Sequence, residues 1–161
     1  TPISMHYVHK LSVDKVGLVI QFHVIGMFLP SLFTGNLIKR FGFSNIMYTG
    51  VFFYALTISL SLFEPTFINY FASLIFLGIG WNFLYISGTS LLVTTYNEQE
   101  KFKAQGFNDL IVYTVQAIAS LSAGVFINLT SWKTMNLICI IFLIIIVIST
   151  LRADFKQKKP Q

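Results

Sequence analysis

The sequence predicts an all-α membrane protein whose chain crosses a bilayer five times. Composition is the first observation behind this: 55% of the 161 residues are hydrophobic and 16% aromatic, but only 11% are charged, against about a quarter in an ordinary soluble domain. Such a chain lacks the polar side chains to cover itself in water. The second observation is patterning. The charges gather in short runs, and the apolar stretches between them are long enough to cross a hydrocarbon core of about 30 Å at about 1.5 Å per residue. The third is the uneven placement of Lys and Arg between alternate loops.

In chain order, residues 1–15 carry His6, His9, Lys10, Asp14 and Lys15 with no apolar run and no small-residue cleavage site, so they do not read as a signal peptide. The first span, 16–37, is interrupted by Gln21, His23, Pro30 and Thr34, and the pair Lys39 and Arg40 follows it. The second, 45–63, is rich in Phe, Tyr, Leu and Ile and closes at Glu64-Pro65. The third, 67–95, is the longest, and its length implies tilt or a frayed end. The fourth runs over 107–129 and the fifth over 135–151; residues 152–161 form a solvated basic tail. Spans two and five contain no Asp, Glu, Lys, Arg or His.

Five crossings divide the loops between two sides. One side collects Lys39, Arg40, Lys101, Lys103, Arg152, Lys156, Lys158 and Lys159; the other holds only Lys10, Lys15 and Lys133. The positive-inside rule then places the carboxy terminus in the cytoplasm and residues 1–15 outside. The net charge of +5 follows from this asymmetry and needs no nucleic-acid partner; a lipid bilayer with anionic headgroups is the partner it fits. The sequon Asn128-Leu129-Thr130 falls on the outer side, too close to the membrane to favour glycosylation. Cys139 lies alone in an apolar run and reads as a buried thiol.

Residues Gly35-Asn36-Leu37-Ile38-Lys39-Arg40-Phe41-Gly42-Phe43-Ser44 resemble the loop signature G-x-L-a-D-R-x-G-R-[RK] of the major facilitator superfamily. Gly35, Leu37, Arg40 and Gly42 agree; Lys39, Phe43 and Ser44 depart from it. In physical terms, Gly35 lets two helices approach, Gly42 permits a backbone turn, and Arg40 anchors the loop at the cytoplasmic face. The family repeats this loop in weakened form in its second half, and the basic tail and cytoplasmic carboxy terminus agree with that half. Met5-His6, Gln21-Phe22-His23-Val24, Gly26-Met27-Phe28 and Gly78-Ile79-Gly80-Trp81-Asn82-Phe83-Leu84 are similar to the eighth- and tenth-helix regions of a group of uncharacterised bacterial facilitators. The resemblance implies that the five spans are helices eight to twelve, most of one six-helix half of a major facilitator fold. It also implies missing amino-terminal helices before Thr1, an expectation that a chain starting without Met supports, and a bacterial plasma (inner) membrane location.

Polar groups inside the spans mark the candidate site, because they are costly in hydrocarbon unless they face a cavity or another helix. Asp109, Tyr113, Gln116 and Ser120 lie at steps of four, three and four residues, which puts them on one helix face. Gly78, Asn82, Tyr85 and Thr89 form a similar line, with Trp81 beside it. His23 shares a face with Gly26 and Pro30. The predicted substrate cavity is therefore Asn82, Tyr85, Gln116, Tyr113, His23 and Trp81. Asn82 reads equally as a bond across to a neighbouring helix, and His23 as a neutral histidine bonded to a neighbour. Asp109, near the basic loop, reads as a gate, with helix-start and proton-coupling roles as alternatives.

These features predict a secondary active transporter of a small-molecule substrate by alternating access, with a proton or sodium ion as a coupling partner. No cofactor, metal or catalytic group is expected. His6 and His9 make a weak metal pair, and no phosphate-cradling motif is present. The competing classes are a non-transporting sensor or interaction protein on the same fold, and a membrane enzyme.

Overall fold

The computed structural model describes the backbone of residues 1–158 and, apart from Asn128 and residues 156–158, their side chains. The sequon residue Asn128 and the tail lysines Lys156, Lys158 and Lys159 therefore lie outside the described side chains. All regular structure among the described residues is helical. A short π-helical turn, Ser4–Val8, precedes α1 (Val13–Phe28), α2 (Ser31–Phe41), α3 (Phe43–Ser61), α4 (Phe67–Val93), α5 (Lys101–Leu129) and α6 (Trp132–Lys158). Among the described residues, five spans are long and apolar enough to cross a membrane, because α1 and α2 together form one span, Val13–Phe41.

Local chemistry sets the element ends. The Ser12 hydroxyl accepts from the Lys15 N–H at the start of α1, and the Thr66 hydroxyl accepts from the Asn69 N–H at the start of α4, each satisfying a donor that the first turn leaves open. Pro30 has no N–H and separates α1 from α2. Gly42 joins α2 to α3 in a single residue at φ +81°, a conformation that costs a residue with a Cβ about 1 kcal/mol or more. α5 starts at Lys101 rather than at the apolar boundary Phe107, since Lys, Ala and Gln are good helix formers and carry the helix beyond the hydrocarbon.

The centre of the fold is α4, which packs α1 and α2 on one side and α3 on the other, while α6 packs on α3. Glycines set these distances. A Cβ on Gly78 would stand 2.5 Å from the His23 carbonyl oxygen, and one on Gly26 would stand 3.0 Å from that of Ile75. On the opposite face of α4, a Cβ on Gly80 would stand 3.0 Å from the Gly50 carbonyl oxygen. With lipid outside, close backbone approach and dispersion hold helices together, so small residues belong at these crossings. The approach expected at Gly35 occurs at these positions instead; a Cβ on Gly35 meets nothing within 4 Å.

Met5, Val19, Tyr70 and Leu74 form a buried apolar cluster with Trp132 packed against it. It ties the amino-terminal turn onto α1, α4 and the start of α6. Ser4 and Tyr70 share a hydroxyl hydrogen bond of 2.7 Å there. No residue in the apolar window of α5 is buried, and within the described residues that helix meets α4 and α6.

Candidate functional site: a polar and aromatic cavity between α4, α5 and the α1–α2 break

Where α1 gives way to α2, the backbone turns aside and leaves a cavity of ≈ 260 Å³. Met27, Phe28 and Ser31 contribute from the break, Trp81, Asn82, Tyr85 and Ile86 from α4, and Tyr113 and Gln116 from α5. Five of the six residues predicted for a cavity thus come together. His23 does not: its Nδ1–H donates to the Leu74 carbonyl at 2.8 Å, so it joins α1 to α4 away from the cavity.

Asn82 borders the cavity but is only 1% exposed. Its Nδ2 donates to the Met27 carbonyl at 2.7 Å, one of the last carbonyls of α1 and therefore without a helical partner of its own. Its Oδ1 accepts from the Thr34 hydroxyl at 2.7 Å. That hydroxyl also lies 2.8 Å from the Pro30 carbonyl and has one proton to divide between the two. The α1–α2 break is thus fastened to α4 by a single amide. Ser31 closes another open carbonyl of α1, donating to that of Phe28 at 2.5 Å.

The aromatic wall is ordered. Trp81 and Tyr85 stack with centroids 4.7 Å apart and planes at 10°, while Phe28 meets Trp81 nearly edge-on at 6.3 Å and 63°. The Tyr85 hydroxyl donates to Asp109 Oδ1 at 3.2 Å, and Asn108 Nδ2 donates to the same oxygen at 3.2 Å. Tyr113 and Gln116 continue the face of α5 that begins with Asp109, whereas Ser120 does not reach the cavity. Thr89 turns back onto its own helix, donating to the Tyr85 carbonyl at 2.8 Å. The lining therefore offers aromatic faces and uncharged polar groups, the Ser31 hydroxyl, the Tyr85 and Tyr113 phenols and the Asn82 and Gln116 amides, with no charged side chain. Among the described residues, no three His, Cys, Asp or Glu side chains gather to hold a metal.

In the loop motif, Gly42 makes the turn and Leu37 is half-buried on α2. The Arg40 guanidinium lies 5.1 Å from the centroid of the Phe41 ring, a cation–π contact at the surface. Sequence reasoning missed Thr34, Phe28 and Ser31 as partners of the site. The signal for them was Pro30, since a helix break beside a polar residue on a neighbouring helix exposes backbone groups that need partners.

The sequence profile of the Major Facilitator Superfamily matches residues 1–161. The chain belongs to the Major Facilitator Superfamily. It is thus an integral membrane protein of a transporter family, consistent with its five apolar helices. It is 42% identical over 135 residues to the riboflavin transporter RfnT of Brucella anthropi, covering 84% of this chain and 34% of that protein. It is also 34% identical over 140 residues to the uncharacterized MFS-type transporter YdeG of Bacillus subtilis, covering 86% and 32%. A second B. subtilis MFS-type transporter, the uncharacterized YddS, is 29% identical over 140 residues, covering 85% and 32%. The chain therefore spans about a third of the length of these relatives. No solved structure gives a significant match.

Proposed function

We propose that this chain supplies helices eight to twelve of a secondary transporter that moves a neutral, planar heteroaromatic solute of the riboflavin type by alternating access. The observation that carries this reading is the lining of the cavity between α4, α5 and the α1–α2 break: stacked aromatic faces, an amide and hydroxyls, and no fixed charge. An uncharged fused-ring solute gains from stacking on such a wall, and an imide or amide edge pairs with Gln116. A ring that exchanges bulk water for Trp81 and Phe28 loses little solvation, whereas an anionic solute would be left without a cation to pair with.

At ≈ 260 Å³ the cavity falls just short of the roughly 300 Å³ at which complete ligand pockets begin, which suits one wall of a site shared with a facing half. The relative named as a riboflavin transporter supports the solute class. The charge asymmetry of the loops supports a cytoplasmic carboxy terminus, and the bacterial relatives support a plasma (inner) membrane location. Membership of a transporter family supports alternating access, in which two halves rock about a site between them. The test is uptake of labelled riboflavin by the full-length protein in proteoliposomes, comparing wild type with Trp81→Ala and Gln116→Ala. A loss of tenfold or more in both variants, with normal insertion, is expected. Unchanged uptake in both removes the cavity from the solute path.

A further inference from the structure

A second cavity, of ≈ 330 Å³, lies between α3, α4 and α6. It forms because α3 and α4 are drawn together while α6 packs on α3 rather than on α4. A Cβ on Gly50 would stand 2.8 Å from Leu84 Cγ, and one on Gly80 would stand 2.6 Å from Tyr54 Cδ1. Leu84 and Tyr54 are thus each seated on a glycine of the opposing helix, and both line the cavity. Its volume exceeds the roughly 300 Å³ at which ligand pockets begin.

The polar groups around it fall into two sets. Thr150 donates to the Ile146 carbonyl at 2.9 Å, and the Tyr85 hydroxyl donates to Asp109 Oδ1 at 3.2 Å. By contrast, the Tyr54 phenol, the Ser149 hydroxyl and the Trp81 indole N–H have no hydrogen-bond partner among the described residues. Tyr54 and Trp81 lie near the middle of α3 and α4, away from the helix ends. Unpaired polar groups within apolar spans are costly, and these three line one cavity contributed by three helices. Each of them can donate a hydrogen bond, and no charged side chain lines the cavity. The matching partner is therefore an uncharged acceptor.

The rest of the lining selects further. Met47, Leu84, Ile145 and Ile146 make an aliphatic side, and Trp81 adds an aromatic face. Water satisfies the donors but gains nothing from the aliphatic side. An acyl chain gains from that side but offers no acceptor. A molecule with an apolar ring body and a carbonyl edge meets both. Trp81 and Tyr85 also line the first cavity, so their stack, with centroids 4.7 Å apart, is a wall common to the two. We propose that the α3–α4–α6 cavity is a second binding site, for an uncharged aromatic molecule bearing a carbonyl oxygen, whose occupant braces the Trp81–Tyr85 wall from behind. The effect on transport, though not the site itself, rests on the first cavity being the solute site.

In this arrangement the carbonyl oxygen accepts from the Tyr54, Ser149 or Trp81 donors, and the ring body lies along the aliphatic side. An occupant that binds this arrangement of the wall better than others shifts the protein toward it. Transport requires the wall to change as the solute site changes its opening, so occupancy slows it. No covalent bond is made or broken.

The experiment uses full-length protein in proteoliposomes with tritiated benzophenone, an uncharged diaryl ketone that on illumination adds to nearby C–H bonds, those of methionine foremost. Labelling is quantified by mass spectrometry at Met47 and, as a measure of simple partition into lipid, at Met135 in the apolar groove between α5 and α6. Met47 labelling is expected to saturate with concentration and to fall at least fivefold in Tyr54→Phe/Ser149→Ala, whose folding is checked by size exclusion. Met135 labelling is expected to rise without saturation and equally in both proteins. In wild type, excess fluorenone is expected to suppress Met47 labelling relative to Met135, whereas fluorene, the same ring system without the carbonyl, leaves it unchanged. Met47 labelling that climbs in step with Met135, equal labelling in the folded double variant, or equal effects of fluorenone and fluorene overturns the site. In the dark, benzophenone at the concentration that saturates Met47 is expected to slow riboflavin uptake by wild type at least threefold and to spare the double variant. No slowing in wild type, or equal slowing in both, overturns the bracing of the wall. If wild type takes up no riboflavin, the solute reading fails by itself, and the labelling still decides the second site.

Discussion

Replacing Asn82 with alanine removes the amide that fastens the α1–α2 break to α4. The Met27 carbonyl loses its donor at 2.7 Å and, in a site where Asn82 is 1% exposed, has only water entering from the cavity to replace it. The Thr34 hydroxyl fares better, since it turns wholly to the Pro30 carbonyl already within 2.8 Å. One orphaned carbonyl at about 1 to 3 kcal/mol and one lost interhelical bond at about 0.6 to 2 kcal/mol overlap, giving a net loss of about 2 to 3 kcal/mol. Thr34→Val leaves the bond from Asn82 to Met27 intact and costs about 1 kcal/mol, the scale of one interhelical hydrogen bond. The double variant falls short of the sum, because both changes break the Thr34–Asn82 bond. Thermal unfolding of the full-length protein in detergent is the assay. At roughly 2 °C per kcal/mol for larger domains, Asn82→Ala lowers Tm by about 4 to 6 °C and Thr34→Val by about half that. An Asn82→Ala variant that keeps wild-type Tm while losing solute binding refutes this reasoning and makes Asn82 a solute contact rather than a fastening.

Three glycine predictions separate close approach, open space and backbone strain. Gly78→Ala places a Cβ 2.5 Å from the backbone oxygen of His23, which no side-chain shift relieves; α1 must move off α4, and the yield of folded protein in membranes falls severalfold, measured by fluorescence-detected size exclusion. Gly35→Ala, with nothing within 4 Å, leaves that yield unchanged or higher, since Ala favours the helix by about 1 kcal/mol. Gly42→Ala meets no atoms either, yet at φ +81° it strains the α2–α3 turn by about 1 kcal/mol or more; the same thermal assay reads a loss of about 2 °C.

The crossings were legible in the sequence because hydropathy is a property of each segment alone, and the break in the first was legible in Pro30. The shared face of Asp109, Tyr113 and Gln116 was legible because helical geometry fixes it without knowledge of neighbours. What could not be read was which groups meet across helices. Asn82 finds Thr34 and Met27 at separations of 48 and 55 residues, and nothing local to Asn82 distinguishes an amide that binds backbone from one that faces a cavity. His23 illustrates the same limit: its face was predictable, but its partner, the Leu74 carbonyl, depends on how deeply α1 sinks onto α4 at Gly26 and Gly78. The assignment of close approach to Gly35 followed from the motif, whereas the structure spends its interhelical contacts on Gly26, Gly50, Gly78 and Gly80. The helix α5 begins at Lys101, before the apolar span read from Phe107, because polar helix formers at its beginning carry the helix past the apolar boundary.

The central claim is that the wall formed by Trp81, Tyr85, Tyr113 and Gln116 meets the solute. Its most direct test is thiol labelling of full-length, cysteine-free protein carrying Gln116→Cys in the cavity or Ser120→Cys one turn beyond it. Saturating riboflavin is predicted to slow labelling at position 116 at least fivefold and to leave position 120 unchanged. Labelling at 116 that proceeds at the same rate with and without riboflavin, in protein that transports it, contradicts the claim.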